Sequence, residues 1–240
     1  MLKTIGIMGG MGPAATADLM IKIIEMTAAD SDQEHIPMII DNNTRIPDRT
    51  AAILSGGADP VPEMTASAKR LEAAGADFII IGCNTAHYFV PKVEKEISIP
   101  VVSMLKETAL ALREKGVKCA AVLATDGTVK SGLYAKALSA EGIEDIYPTD
   151  EQQKLLMSVI YDYIKKGITD PAKLPHDEML IMAEDLKSRG AEALIMACTE
   201  LPLAFDLTGI IDDTCMDPTR VLAAAAIREA GAKLRLEITM

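Results

Sequence analysis

An internal repeat constrains this chain more than any other feature. Ile79-Ile80-Ile81-Gly82-Cys83-Asn84-Thr85 is an apolar run closed by a small residue, a cysteine and short polar residues. Leu194-Ile195-Met196-Ala197-Cys198-Thr199-Glu200 has the same form. Each follows a Gly-Ala-acid triplet, Gly75-Ala76-Asp77 and Gly190-Ala191-Glu192. Cys198 lies 115 positions after Cys83, Gly190 lies 115 after Gly75, and Gly127 lies 115 after Gly12. One offset at three places indicates two copies of one unit, each ending an apolar strand in a thiol.

The segments around the repeat alternate between strand and helix patterns. Strands are expected at Lys3–Met8, Ile36–Ile40, Phe78–Ile81, Ile99–Ser103, Lys118–Leu123, Ile143–Tyr147, Ala193–Ala197 and, last, Ile210–Asp212. Helical spacing predicts helices from Pro13 to about Ala29, and over Thr65–Ala74, Ala86–Lys95, Lys106–Lys115, Thr128–Ala140, Glu151–Lys166, Pro175–Ser188 and Pro218–Leu234. Asp41–Thr50 reads as a polar loop, and Gly56, Gly57 and Pro60 as a turn. This alternation indicates βαβ units and parallel sheets in two similar α/β lobes. Ligands of such sheets gather at the carboxyl ends of the strands. Gly9–Gly12, Asp41–Thr50, Cys83–Thr85 and Cys198–Glu200 all fall there.

Composition narrows the function. With 240 residues, 49% of them apolar and no Trp, the core must rest on aliphatic side chains and Met. A net charge of −11 without basic clusters argues against a nucleic-acid partner. No apolar run approaches the ~18 residues of a membrane span, and the opening Met1-Leu2-Lys3-Thr4 enters a strand at once, unlike a signal peptide. Cys83, Cys119, Cys198 and Cys215 form no CxxC and do not join His35, His87 or His176 at zinc-like spacing. No metal site is expected. Free thiols in a reducing cytoplasm are the expectation.

Two thiols at matching strand ends admit a disulfide or a two-base proton transfer. In the second case a thiolate removes the α-proton of an amino acid from one face, and the opposing thiol donates one to the other. Asn84, Thr85 and Thr199 have the hydrogen-bonding groups to hold the amino acid's carboxylate and ammonium. Cys119 and Cys215 are expected to be structural. Gly9-Gly10-Met11-Gly12 is either a tight turn or a loop lining the anion end of the site. It also fits GxGxxA (Gly10 to Ala15), with Asp41 ending the next strand, which leaves a dinucleotide-linked oxidoreductase open. A non-catalytic amino-acid-binding protein is the third reading. Arg45 and Arg49, and Lys165 or Lys166, supply cations for a second substrate carboxylate. Glu200 reads as a general acid/base, a partner for the substrate ammonium or a helix-start acid. His87 reads as a tuner of the Cys83 thiol or a surface residue. No Schiff-base lysine motif for PLP is evident, and no cofactor is expected.

These residues resemble the PLP-independent aspartate/glutamate racemase family, most closely its aspartate racemase branch. The carriers are Thr4-Ile5-Gly6-Ile7-Met8-Gly9-Gly10-Met11-Gly12-Pro13, Ile46-Pro47-Asp48-Arg49-Thr50, Gly82-Cys83-Asn84-Thr85-Ala86-His87 and Ala197-Cys198-Thr199-Glu200. The resemblance implies two pseudo-symmetric three-layer α/β/α lobes with mainly parallel sheets, a site in the cleft between them, and a homodimer. The expected lobes are 1–104, completed by a C-terminal helix over 217–240, and 105–216. The resemblance makes Cys83 and Cys198 the paired acid/base residues. Asn84, Thr85 and Thr199 hold the α-carboxylate and amino group, and Arg49 and Lys165 the side-chain carboxylate. Met8, Gly10, Met11, Thr50 and Glu200 complete the expected lining. The implied reaction is interconversion of L- and D-aspartate, with a glutamate or broad-specificity racemase as the runner-up.

Overall fold

The computed structural model describes residues 1–235. The chain divides into two compact units, one of Met1–Glu107 with the segment from Thr219 on, the other of Thr108–Pro218. The last five positions of the expected C-terminal helix, 236–240, lie outside the described residues.

The first unit holds β1 (Ile5–Gly9), α1 (Pro13–Met26), β2 (Met38–Asn42), α2 (Arg49–Leu54), α3 (Val61–Ala73), β3 (Phe78–Ile81), α4 (Val90–Val93), β4 (Val101–Val102) and the start of α5 (Met104–Glu114). The second holds β5 (Cys119–Ala124), α6 (Asp126–Lys130), α7 (Leu133–Ala140), β6 (Glu144–Ile146), α8 (Asp150–Ser158), α9 (His176–Ser188), β7 (Ala193–Ala197), α10 (Leu201–Thr208) and β8 (Cys215–Met216). Then α11 (Pro218–Glu229) returns to the first unit.

Both sheets are parallel and four-stranded, in the orders β2-β1-β3-β4 and β6-β5-β7-β8. The two units therefore share one topology. Their central strands are continuous apolar runs because helices cover both faces. In the first unit Ile5, Ile7 and Ile80 pack against Leu19, Ile23, Leu222 and Ile227, while Ile79 and Ile81 pack against Met64, Leu71 and Val93 on the other face. In the second, Leu194 and Met196 pack with Leu156, Met182, Leu186 and Phe205.

The structure explains the repeated Gly-Ala-acid triplet. Gly75 and Gly190 have φ of +98° and +102°, a left-handed conformation that closes α3 and α9 and that favours glycine. The next residue's N–H bonds back into the helix, Ala76 to the Leu71 carbonyl and Ala191 to that of Leu186, both at 3.1 Å. The acid then locks the neighbouring strand. Asp77 accepts the Thr4 N–H at 2.6 Å, and Glu192 accepts the Lys118 N–H at 2.7 Å.

Several expected elements differ. The α1 helix stops at Met26, and Thr27 forms an antiparallel bridge with Leu234; α11 ends at Glu229 rather than Leu234, closed by Gly231 (φ +83°) with the Ala232 N–H donating to the Ile227 carbonyl at 3.1 Å. The expected loop over 41–50 contains the end of β2 and the start of α2, which Asp48 caps by accepting the Ala51 N–H. The helix expected over 86–95 is a chain of short turns around α4, with Pro91 in its first turn. The one expected over 128–140 breaks at Gly132 into α6 and α7. The final strand is Cys215–Met216, not Ile210–Asp212. Ile210 is buried just after α10, and Cys215 lies in β8.

Candidate functional site

Each unit offers a cysteine just beyond a central strand. Cys83 follows β3 and Gly82, and Cys198 follows β7; their exposures are 7% and 9%.

In the first unit Cys83 joins an apolar cluster with Met8, Met11, Ile46, Ala86 and Phe89. Asn84 and Thr85 are buried beside it, at the start of the 3₁₀ turn Thr85–Tyr88. Met8 is fully buried in β1 and presents no side-chain surface, whereas Met11 is 3% exposed. His87 is buried too, which corrects the surface reading. Both ring nitrogens meet backbone groups. The Met104 N–H donates to Nε2 at 3.1 Å, so in the neutral ring Nδ1 carries the hydrogen and donates to the Cys83 carbonyl at 2.9 Å. Burial pushes the His87 pKa down, which keeps that neutral tautomer. His87 thus ties the end of β3 to the start of α5.

The glycine segment is largely a structural turn. Gly10 has φ +91°, and a Cβ there would meet the Asn43 carbonyl at 2.3 Å. Its N–H donates to Thr16 Oγ1 at 2.9 Å. Asp41, which a dinucleotide would need for its ribose, accepts instead from Ser67 at 2.5 Å and from Arg70 at 2.6 Å. Both features weaken the oxidoreductase reading. The two arginines part company. Arg45 is exposed and lines a polar hollow of about 360 Å³ with Asp41, Asn43, Glu63 and Arg70. Arg49 and Thr50 open α2, partly buried, and Arg49 Nη1 donates to the carbonyls of Pro47 (3.0 Å) and Ile46 (3.3 Å).

The second unit gathers its candidates into one network. The Cys198 thiol donates to Glu200 Oε2 at 3.0 Å, and the Thr199 hydroxyl donates to the same oxygen at 3.1 Å. Lys165 Nζ donates to Glu200 Oε1 at 2.6 Å and sits 5.7 Å from the centroid of the Tyr161 ring. Glu200 stands at the N-terminus of α10, yet its side chain caps nothing; it serves the thiol and the lysine. Lys166 instead pairs with Asp162 on the exposed side, which separates the two lysines. Lys165 owes its place to irregular backbone. The helix expected over 151–166 becomes a π-helical segment, Val159–Tyr163, then a 3₁₀ turn, Ile164–Lys166, closed by Gly167. Such wide turns re-aim side chains and recur at functional sites.

The other two cysteines lie in the strands β5 and β8. Burial pushes the Cys119 and Cys215 thiols up in pKa, with nearby carboxylates adding to it at Cys119, so thiolate is disfavoured at both. All four cysteines are free, and among the described residues no cluster of metal ligands occurs.

A family model for Asp/Glu/hydantoin racemases matches residues 8–226. The chain belongs to that family. Aspartate racemase from Picrophilus torridus is 34% identical, superposes with a TM-score of 0.84, and is matched over 98% of this chain and 97% of its own. The broad-specificity amino-acid racemase RacX of Bacillus subtilis (strain 168) is 29% identical over 217 residues, 84% of this chain and 87% of that protein. Glutamate racemase from Limosilactobacillus reuteri (strain DSM 20016) is 30% identical over 125 residues, 52% of this chain and 45% of that protein. Family membership supports an isomerase acting on a small amino acid, and no described helix is long and apolar enough to cross a membrane.

Proposed function

We propose that this racemase-family protein interconverts L- and D-aspartate without PLP, using Cys83 and Cys198 as a two-base pair. One observation carries the reading: two units of identical strand order each place a cysteine just past their third strand, 115 residues apart. In this mechanism one cysteine, as thiolate, takes the α-proton while the other, as thiol, delivers a proton to the opposite face of the same carbon. The configuration inverts and the two sulfurs exchange protonation states. The reading requires the units to bring both sulfurs to one substrate, in the cleft between them.

Asn84, Thr85 and Thr199 would hold the α-carboxylate and ammonium, and the Gly10–Met11 backbone would line the site. Arg49 and Lys165 would bind the side-chain carboxylate. Aspartate is favoured because the aspartate racemase is 34% identical over nearly the whole of both chains, whereas solved glutamate racemases matched over 94–98% of this chain are 18–20% identical. Broad specificity, as the name of RacX describes, is the second reading. A reducing cytoplasm suits four free cysteines, and a homodimer follows from the family resemblance.

The test is a racemisation assay without added PLP on L-aspartate, L-glutamate and L-alanine. Aspartate should racemise fastest. No D-product from any acidic substrate would refute the reading, and equal rates on all three would select broad specificity.

A further inference from the structure

The lysine expected to recognise a substrate's second carboxylate is already held by a carboxylate of the protein. Lys165 and Glu200 meet at 2.6 Å with side chains 26% and 9% exposed, so ligands reach the pair mainly from the lysine side. The other Glu200 oxygen accepts from Cys198 and Thr199. The first unit differs at the matching positions. There the residue two after the cysteine is Thr85, and Arg49 rests on neutral carbonyls. Lys165 thus carries a built-in anionic partner, and that partner also touches the thiol.

We propose that Glu200 is an internal competitor for Lys165, and that an acidic ligand binds by exchanging its own second carboxylate for that of Glu200. This rests on the racemase reading for the class of ligand, and adds a specificity device to it. Only a dicarboxylate can make the exchange and keep the ammonium paired, while Glu200 retains its Cys198 and Thr199 donors. A second carboxylate replaces like with like at the ammonium, whereas a neutral side chain would strand a charge if it parted the pair. Lys165 suits the task, being a flexible, singly charged donor that swings between acceptors. Acidic amino acids are selected because they can open the pair, and neutral ones leave Glu200 where it is.

The exchange predicts a sign that a purely structural Glu200 does not. Succinate is the probe, since it has two carboxylates and no ammonium to contact Glu200 directly. Isothermal titration should show succinate binding about tenfold more tightly to Glu200→Gln than to the wild type, with propionate changed less than twofold. Lys165→Met should weaken succinate about tenfold, and adding Glu200→Gln to it should change nothing further. Circular dichroism checks that each variant is folded. Unchanged or weaker succinate binding in Glu200→Gln overturns the proposal. So does equal tightening in the Lys165→Met background, or no binding to either the wild type or Glu200→Gln. A chain that shows the predicted pattern but fails to racemise aspartate would refute the racemase reading and leave the exchange standing.

Discussion

The two units share a scaffold and differ in what surrounds the sulfur. In the first, Cys83 leads into a broken series of short turns, sits among Met and aromatic side chains, and has its carbonyl held by a neutral imidazole. In the second, Cys198 is followed after two residues by the helix α10, and its thiol donates to a carboxylate paired with a lysine. Strand order and the 115-residue offset fix where each sulfur stands. The residue two positions later, Thr85 or Glu200, decides whether the motif itself supplies a carboxylate.

The same divergence appears far from the sulfurs. Glu72 on α3 accepts from the N–H and hydroxyl of Ser98, tying down the approach to β4. Lys187, 115 positions after Glu72, donates to Asp212 on the approach to β8. One brace is kept in both units, as an acid on a serine in the first and an ion pair in the second. Backbone position is under tighter constraint than the chemistry that secures it.

The comparison makes graded predictions. If both sulfurs are needed despite their different surroundings, Cys83→Ala and Cys198→Ala should each lower the racemisation rate about a thousandfold, the scale of a lost general acid or base. Full activity in either variant would break the symmetry on which the function rests. The cations should matter next. Arg49→Ala should raise the KM for aspartate about tenfold to a hundredfold, the scale of a lost charged hydrogen bond, with a smaller effect on any alanine turnover.

The imidazole of the first unit supplies a pH test. His87 is held neutral by burial, so between its unfolded pKa near 6.5 and its lower folded value the unfolded chain binds the extra proton. Its contribution is intact above that range and shrinks as pH falls through it. Between pH 7.5 and 5.5 the wild type should lose about 1 kcal/mol of stability that His87→Gln does not lose, measurable by urea unfolding. The brace of the second unit should give the smallest effect. Burial pushes the Asp212 pKa up, but Lys187 and Thr214 more than offset this and hold it at about 2. That stabilisation is present above the ordinary value of 3.8 and fades as pH falls through 2. Lys187→Met should lower Tm by a degree or two at pH 6 in a thermal melt, on the order of the ~0.5 kcal/mol of an exposed pair, and by less at pH 2.

Much of this was legible in the sequence. Phe78–Ile81 and Ala193–Ala197 are strands to the residue, because glycine closes the helix before each and a cysteine motif follows. The repeat also located both thiols. The chain's irregular parts were hidden. Helical periodicity over 151–166 cannot register a π-helical segment, so the orientation of Lys165 went unseen, and with it the ion pair to Glu200. Ile210 and Ile211 are apolar and resemble a strand, yet Ile210 serves the α10 core while the pairing falls to Cys215 and Met216. His87 carried a usable signal, four residues after Cys83 in a buried stretch, but only its second partner, the Met104 N–H, reveals the clamp. Hydrogen bonds between segments distant in sequence are what local patterns omit.

The central claim is that sulfurs from the two units serve opposite faces of one carbon. Running L-aspartate in heavy water and sampling before a tenth of it has reacted tests this directly. Proton delivery from a solvent-equilibrated second thiol predicts that the first D-aspartate carries deuterium at the α-carbon while unreacted L-aspartate keeps its protium. D-aspartate retaining the original proton would mean that a single base shuttles it across, and would contradict the two-thiol account.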